Sequence, residues 1–174
     1  MLLLIWCAPL DATVLVPADL GDLAREATTI VRGQVRAVET RWTDGRRAIE
    51  TIVTIDAETY LKGALASRLQ FRVPGGELGR FKSITIGAPR FTVGERVILF
   101  LSGGAPRVPQ VVGLSQGVYR VVASREGLIV TPPPILPGVA LGASNATRIV
   151  RGDPARRPSS IGDFERRVRD LAVR

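Results

Sequence analysis

The chain has 174 residues, a length typical of one domain of ordinary size with short appendages. It contains no histidine, which excludes histidine-based triads, histidine proton shuttles and zinc sites that use histidine ligands. The formal charge of +8 comes from arginines scattered along the sequence. We interpret this charge as solubilising, and the alternative is an anionic partner such as nucleic acid, acidic polysaccharide or a lipid surface.

The first predicted element is an apolar run over residues 2–10. It is shorter than the ~20 residues of a membrane-spanning helix but has the length of the apolar core of a secretory signal. Because no basic segment precedes it, we expect a truncated signal or a true start further upstream, with residues 1–12 removed after Ala12. A functional signal would make the protein secreted or periplasmic, and otherwise it would stay cytoplasmic. The alternatives are a buried first strand and a lipoprotein anchored at Cys7, the only cysteine, which can form no intrachain disulfide.

A short helix is predicted over residues 19–28. The Asp19 carboxylate can accept hydrogen bonds from the free N–H groups of the first turn. Apolar residues follow the helical spacing i, i+3, i+4 and i+7. They are Leu20, Leu23, Ala24 and Ala27.

Strands are predicted to follow. The first, over residues 31–37, alternates apolar and polar positions until the phase slips at Val38. An Asp-Gly turn at 43–46 leads into a long strand, 49–61. Its odd-numbered residues from Ile49 to Leu61 should share one face, with Val53 and Ile55 pointing into the core. A long strand that can bend is typical of small closed barrels.

The remaining pattern completes the predicted fold. Further strands are expected at 69–73, 82–86, 95–101, 110–114, 117–123 and 127–131, with 95–101 buried on both faces. We therefore assign 13–131 to one β domain, 132–158 to a Pro- and Gly-rich linker and 159–174 to a C-terminal helix capped by Ser159 or Ser160. That helix either docks on the β domain or projects from it. Short strands with helices only at the ends predict a mainly β protein, an antiparallel barrel or sandwich with a short N-terminal helix and a C-terminal helix.

Three turns, at 73–77, 87–91 and 113–117, are candidate binding loops, because rigid scaffolds often carry function on loops. The alternative for each is a geometric role, since Gly allows positive φ and Pro fixes φ. The candidate residues are Pro74, Gly75, Gly76, Pro89, Arg90, Ser115 and Gln116.

We predict no catalytic, cofactor or metal site. The Gly-x-Ser-x-Gly spacing at 113–117 matches a nucleophile elbow, but an elbow needs a following helix and a histidine base, and here a strand pattern follows. Gly75 and Gly76 lack the Gly-Lys-Ser/Thr and the helix start of a phosphate-binding loop. Asp56 and Glu58 could form a glycosidase-like carboxylate pair, but we interpret them as part of a solvated strand face.

Several motifs carry a family resemblance. The long strand ends in Leu-Lys-Gly at 61–63, a Val-Pro-Gly-Gly turn follows at 73–76, and Val-Gly-Glu at 93–95 precedes an aliphatic run. In this order the chain resembles, over about residues 18–122, uncharacterised exported bacterial proteins with a barrel similar to the OB-fold of netrin and metalloproteinase-inhibitor (TIMP) modules. The resemblance implies the fold, a small OB-like antiparallel β-barrel with a short N-terminal helix and a C-terminal helix. It transfers no functional residue, because those inhibitors chelate the protease zinc through a disulfide-tethered N-terminal cysteine, and no cysteine follows Cys7.

The predicted function is therefore an exported binding or interaction module without catalytic activity, with an unknown protein or surface polymer as its partner and no stable membrane span. One alternative is an OB-like domain that binds single-stranded nucleic acid, which would need stacking aromatics such as Trp42 or Tyr60. We disfavour nucleic acid because several of the few aromatics must fill the core. The other alternative is a protease-inhibitor-like module that lacks the zinc-chelating cysteine.

Overall fold

The computed structural model describes residues 18–104, 106–125, 127–133 and 157–173, apart from the Asp44 side chain. Within these ranges the protein is mainly β, with one short helix near the N-terminus and one at the C-terminus, as predicted. The helices are α1 (Leu20–Glu26) and α2 (Ile161–Ala172). The strands are β1 (Thr29–Trp42), β2 (Ile49–Lys62), β3 (Arg68–Pro74), β4 (Gly76–Leu78), β5 (Phe81–Ser83), β6 (Arg96–Ser102), β7 (Gln110–Val111), β8 (Val118–Ser124), β9 (Gly127–Thr131) and β10 (Ser159–Ser160).

Eight strands form one sheet in the order β1-β2-β3-β7-β6-β8-β9-β10, and β4 pairs only with β5. β1 also pairs with β6, from Thr29 opposite Leu101 to Gln34 opposite Arg96. The hydrogen-bonded neighbours from β1 through β2, β3, β7 and β6 therefore return to β1. This circuit supports an OB-like barrel, which stays a prediction.

The long β1–β2 pair is bent at three register shifts. One lies between Val35 and Ala37, close to the phase slip expected at Val38. A shift of one residue moves the following side chains to the other face of the strand. As a result, Val53 and Ile55 lie in the inner core, as predicted, whereas Leu61 lies on the opposite face under the helices, against the prediction of one continuous apolar face.

Two apolar clusters fill the protein, one on each face of the sheet. The inner cluster includes Val53, Phe71 and Leu99, all fully buried. The outer cluster includes Ile98 and Phe100 and is covered by both helices. Since neighbouring residues of β6 serve opposite clusters, this strand is buried on both faces, as its unbroken apolar run predicted.

The C-terminal helix docks on the sheet. Ser160 caps α2 by accepting a hydrogen bond from the Asp163 N–H, and Phe164 and Val168 are buried in the outer cluster. The Phe164 ring lies 4.8 Å from the Tyr119 ring, measured between centroids. Neither helix within the described ranges is both long and apolar enough to cross a membrane.

Two strand predictions are wrong in extent. The strand expected at 82–86 ends at Ser83, because its partner β4 is only three residues long and the chain then turns, with the Ala88 N–H donating to the Thr85 carbonyl. The strand expected at 110–114 ends at Val111, since Gly113 and Leu114 adopt φ values of 60° and 56° and begin a 3-10 turn.

Other predictions fall outside the described residues. They are the signal-like segment 1–12 with its apolar run and Cys7, and residues 134–156 of the predicted linker. The predicted division of the chain into segments at 131 and 158 stays a prediction.

Candidate functional site

Two of the three predicted loops meet at one cleft. The cleft has a volume of about 360 Å³ and lies between the β4–β5 hairpin and the loop that precedes β6; we call it the hairpin cleft. Five of the seven candidate residues line it: Pro74, Gly75, Gly76, Pro89 and Arg90. The structure thus brings together side chains and backbone that are about fifteen residues apart in sequence.

A second cleft, of about 430 Å³, lies beside the same two prolines. We call it the proline cleft, because Pro74 and Pro89 line both clefts. Its floor is more apolar and includes Ile49, Val111 and Leu114. Leu114 belongs to the third predicted loop, so parts of all three loops converge at this end of the sheet.

Ser115 and Gln116 themselves hold the third loop in place. The Ser115 N–H donates to the Gly87 carbonyl at 2.9 Å, which ties this loop to the second one. The Gln116 side-chain oxygen accepts from the Ala18 N–H at 2.8 Å, next to the start of α1. Neither residue lines the two clefts. Their observed contacts position the loop.

The glycines of the first loop let the hairpin lie directly on the strands below it. Gly75 and Gly76 have φ values of 84° and 143°, which favour glycine. A Cβ atom on Gly75 would lie 2.7 Å from the Ser83 carbonyl oxygen, and one on Gly76 would lie 2.6 Å from the Thr51 hydroxyl oxygen. Both glycines therefore have a geometric role in building the cleft.

Exposed apolar side chains lie on the β4–β5 hairpin and on the segment after it, and one of them, Ile84, lines the hairpin cleft. Ile84 is 75% exposed and Ile86 is 85% exposed. Phe81 is 45% exposed, and its ring packs edge-on against Trp42 at 5.2 Å between centroids, while the Arg80 guanidinium lies 5.1 Å from the Phe81 ring. We define these apolar residues, Phe81, Ile84 and Ile86, as the apolar rim.

The charged groups at the hairpin cleft are partly neutralised. The Lys82 ammonium contacts the Glu77 carboxylate at 2.5 Å across the β4–β5 pair. This hydrogen bond and the charge of Lys82, with a smaller contribution from Arg90, hold the pKa of Glu77 below its ordinary value. The hairpin therefore presents a neutral ion pair beside the apolar rim at neutral pH.

A third cleft, of about 410 Å³, continues past the β1–β2 turn; we call it the arginine cleft. Arg41 in this cleft pairs with Glu50 at 2.9 Å. Arg72 donates to the Gln110 side-chain oxygen at 3.3 Å, and no ion pair with a described residue engages Arg72 or Arg107. The cleft therefore carries surplus positive charge.

The carboxylates that the sequence singled out form ion pairs with arginines on a solvent-accessible strand face. Asp56 lies between Arg36 at 2.6 Å and Arg68 at 2.9 Å. The hydrogen bond from Arg68, then that from Arg36, holds the pKa of Asp56 below its ordinary value. Glu58 lies between Arg32 at 3.1 Å and Arg96 at 2.7 Å.

The two half-buried aromatic residues that are candidates for base stacking, Trp42 and Tyr60, lie far apart. Trp42 pairs with Ile49 and Tyr60 pairs with Val31, at opposite ends of the β1–β2 pair. Roughly 35 Å of strand separates these positions at ~3.3 Å per residue. The Tyr60 hydroxyl donates to the Ala66 carbonyl at 2.7 Å, and burial raises the pKa of Tyr60.

Sequence reasoning missed the residues that distinguish this end of the molecule. Ile84 and Ile86 alternate with Thr85, which is why this segment was predicted to be a strand. Arg72 and Arg107 were counted only within a scattered positive charge. Alternation marked the right segment, but the exposure of its apolar side chains depends on the short partner strand.

Comparisons with protein-family models, with curated proteins and with solved structures find no match for the chain. The resemblance to netrin- and TIMP-like barrels stays a prediction. Among the described residues, no group of three or more His, Cys, Asp and Glu side chains is placed to hold a metal ion. The site is thus characterised by its shape, its apolar rim and its charge.

Proposed function

We propose that the protein is an exported binding module without catalytic activity, and that it binds a partner protein at the converging loops. The observation that carries this proposal is the apolar rim. Ile84 and Ile86 are 75% and 85% exposed beside a cleft of about 360 Å³. Clustered exposed apolar side chains rimmed by polar residues mark interaction sites in soluble proteins.

The surroundings of the rim suit binding. Two hydrogen bonds hold the backbone at Gly75 in the hairpin cleft: its N–H donates to the Ile49 carbonyl at 3.0 Å, and its carbonyl accepts from the Thr51 hydroxyl at 2.8 Å. Backbone held in this way lowers the entropy cost of association, because little of the protein has to be ordered when the ligand binds. Export is proposed from the apolar run at 2–10.

The nucleic-acid alternative receives less support. A single-strand platform needs several aromatic faces in a row. Trp42 and Tyr60 lie at opposite ends of a strand pair, and the Trp42 ring is packed against Phe81. The inhibitor alternative rests only on the predicted fold, because the chain has no cysteine after Cys7 that could chelate a protease zinc.

A site-specific cross-linking experiment tests the proposal. A photo-reactive residue is placed at Ile84 or Ile86, and at Val173 as a control that is 88% exposed on the C-terminal helix end. In the secreted fraction of the host, we expect one dominant protein adduct from positions 84 and 86 and none from 173. The purified adduct partner should bind the Ile84→Ser/Ile86→Ser protein at least tenfold more weakly than wild type. Equal adducts from all three positions, or unchanged affinity, would refute the proposal.

A further inference from the structure

The three clefts are neighbours at one end of the sheet, and we call them together the groove. The hairpin cleft and the proline cleft share Val73, Pro74 and Pro89. The proline cleft and the arginine cleft share Thr43, Glu50 and Arg72. A ligand in extended conformation can therefore contact the apolar rim, the proline cleft and the arginine cleft in succession.

The charge along this groove is uneven. On the neighbouring strand faces, arginines are paired with carboxylates, for example Arg36 and Arg68 with Asp56. Glu50, the only carboxylate among the residues that line the arginine cleft, forms an ion pair with Arg41. Arg72 and Arg107 are left without a described acidic partner, and both residues are exposed. The hairpin cleft thus combines the exposed Ile84 with one arginine, Arg90, that has no described ion pair, and the arginine cleft has two such arginines and attracts anions more strongly.

We propose that the groove binds an extended segment of a partner protein that has apolar side chains at one end and one or more carboxylate side chains at the other. This inference rests on the proposed function and specifies its partner. The apolar end contacts Ile84 and Ile86, and the acidic end pairs with Arg72 and Arg107. Guanidinium groups bind carboxylates through paired, charge-assisted hydrogen bonds, which also fix the direction of the segment in the groove.

A polypeptide fits the groove better than a polyanion does. A sulfated polysaccharide has no apolar groups for the rim or for the proline cleft floor of Ile49, Val111 and Leu114. A single-stranded nucleic acid would need free aromatic faces, and the one aromatic in the arginine cleft, Trp42, packs on Phe81. Alternating side chains of a peptide strand can supply both apolar and acidic contacts.

The test uses the full chain and synthetic peptides with a fluorescent label. The probe peptide has Leu alternating with Ser in one half and Glu alternating with Ser in the other. A matched peptide has Gln in place of Glu. The variants are Arg72→Gln/Arg107→Gln and, as a control with the same loss of charge, Arg166→Gln/Arg167→Gln on the exposed side of α2. Thermal melts verify that each variant is folded.

We expect the Glu peptide to bind the Arg72→Gln/Arg107→Gln protein at least tenfold more weakly than wild type. The control variant should bind it within twofold of wild type. The Gln peptide should bind wild type at least tenfold more weakly than the Glu peptide does, and it should not distinguish the variants. These results together place the carboxylates at Arg72 and Arg107.

Several results would overturn the inference. The first is no binding of the Glu peptide by wild type. The second is an equal loss of affinity in both double variants, which would indicate diffuse charge attraction. The third is tighter binding of oligo-dT or dextran sulfate than of the peptide, if that binding needs Arg72 and Arg107 but not Ile84 and Ile86. A cross-linked partner that requires the isoleucines but not the arginines would also overturn it while leaving the proposed function standing. If the isoleucines are dispensable for that partner, the proposed function itself fails.

Discussion

Apolar side chains are buried on the helix-covered face of the sheet but exposed at its hairpin end. Under the helices, Phe100 and Phe164 are 0% and 3% exposed. At the hairpin end, Ile84 and Ile86 are almost fully exposed. Leaving apolar area in water forgoes stabilisation of about 25 cal/mol per Å², so the exposed end lacks the stability that the covered face gains.

The charged groups differ in the same way. On the covered face, Glu165 is largely buried and contacts Arg32 from the sheet and Arg169 from its own helix. In the groove, Arg72 and Arg107 have no described acidic partner. The comparison teaches that the covered face pairs its charges and buries its apolar side chains, whereas the groove leaves groups of both kinds exposed.

The largest expected effect compares two phenylalanines. Phe164→Ala should lower the free energy of unfolding by about 3 kcal/mol or more, because it opens a cavity beside Tyr119 in the outer cluster. Phe81→Ala, at a side chain that is 45% exposed, should cost about 1 kcal/mol or less. Urea denaturation of both variants measures the difference. Equal losses would show that the hairpin end contributes to the core as much as the helices do.

The next effect concerns the carboxylate that ties α2 to the sheet. Glu165→Gln should destabilise the protein by about 1–2 kcal/mol, because a largely buried carboxylate loses its charge-assisted contacts to Arg32 and Arg169. The matched control is Glu77→Gln, whose ion pair with Lys82 is exposed and screened by solvent, so that its loss should destabilise the protein less than the loss of the Glu165 contacts. Chemical denaturation followed by circular dichroism compares them. A larger loss for Glu77→Gln would reverse the comparison.

A pH titration tests how much the ion pairs outside the groove stabilise the folded protein. Arg68 and Arg36 lower the pKa of Asp56 in the folded state, so the ionised form stabilises the protein above the unfolded pKa of about 3.9. That contribution is lost as the pH falls through the lowered pKa. We therefore expect Asp56→Asn to lower Tm at pH 7, and the Tm difference from wild type to shrink below about pH 4. A difference that stays constant down to pH 2 would show that the Asp56 charge is not the cause.

The smallest effect is expected at the apolar rim. Ile84→Ser/Ile86→Ser should change the free energy of unfolding by about 0.5 kcal/mol or less, because these side chains bury little area. The same pair of changes is expected to abolish partner capture. Equilibrium unfolding checks the first statement. A loss of several kcal/mol would mean that the rim packs inside the protein and is not an open ligand surface.

Local patterns in the sequence determined much of the architecture. Strict alternation placed Val53 and Ile55 inside, and the unbroken apolar run at 97–101 placed β6 between two cores. Asp19 caps α1 as its position before an apolar stripe indicated. These signals can be read from the chain because they depend only on the periods of helix and strand and on the N–H groups of a first turn.

Only the tertiary structure decided where those patterns change face and what they contact. The register shifts in β1–β2 turn Leu61 away from the inner core, and a shift depends on how two strands pair rather than on either strand. The loops converge at Pro74 and Pro89. Some arginines, such as Arg68, pair with carboxylates, whereas Arg72 pairs with no described carboxylate. Both features depend on residues that are far apart in the chain. Such contacts follow from the path of the whole sheet, so the sequence determined that loops and arginines exist, and the fold decided which of them form a groove.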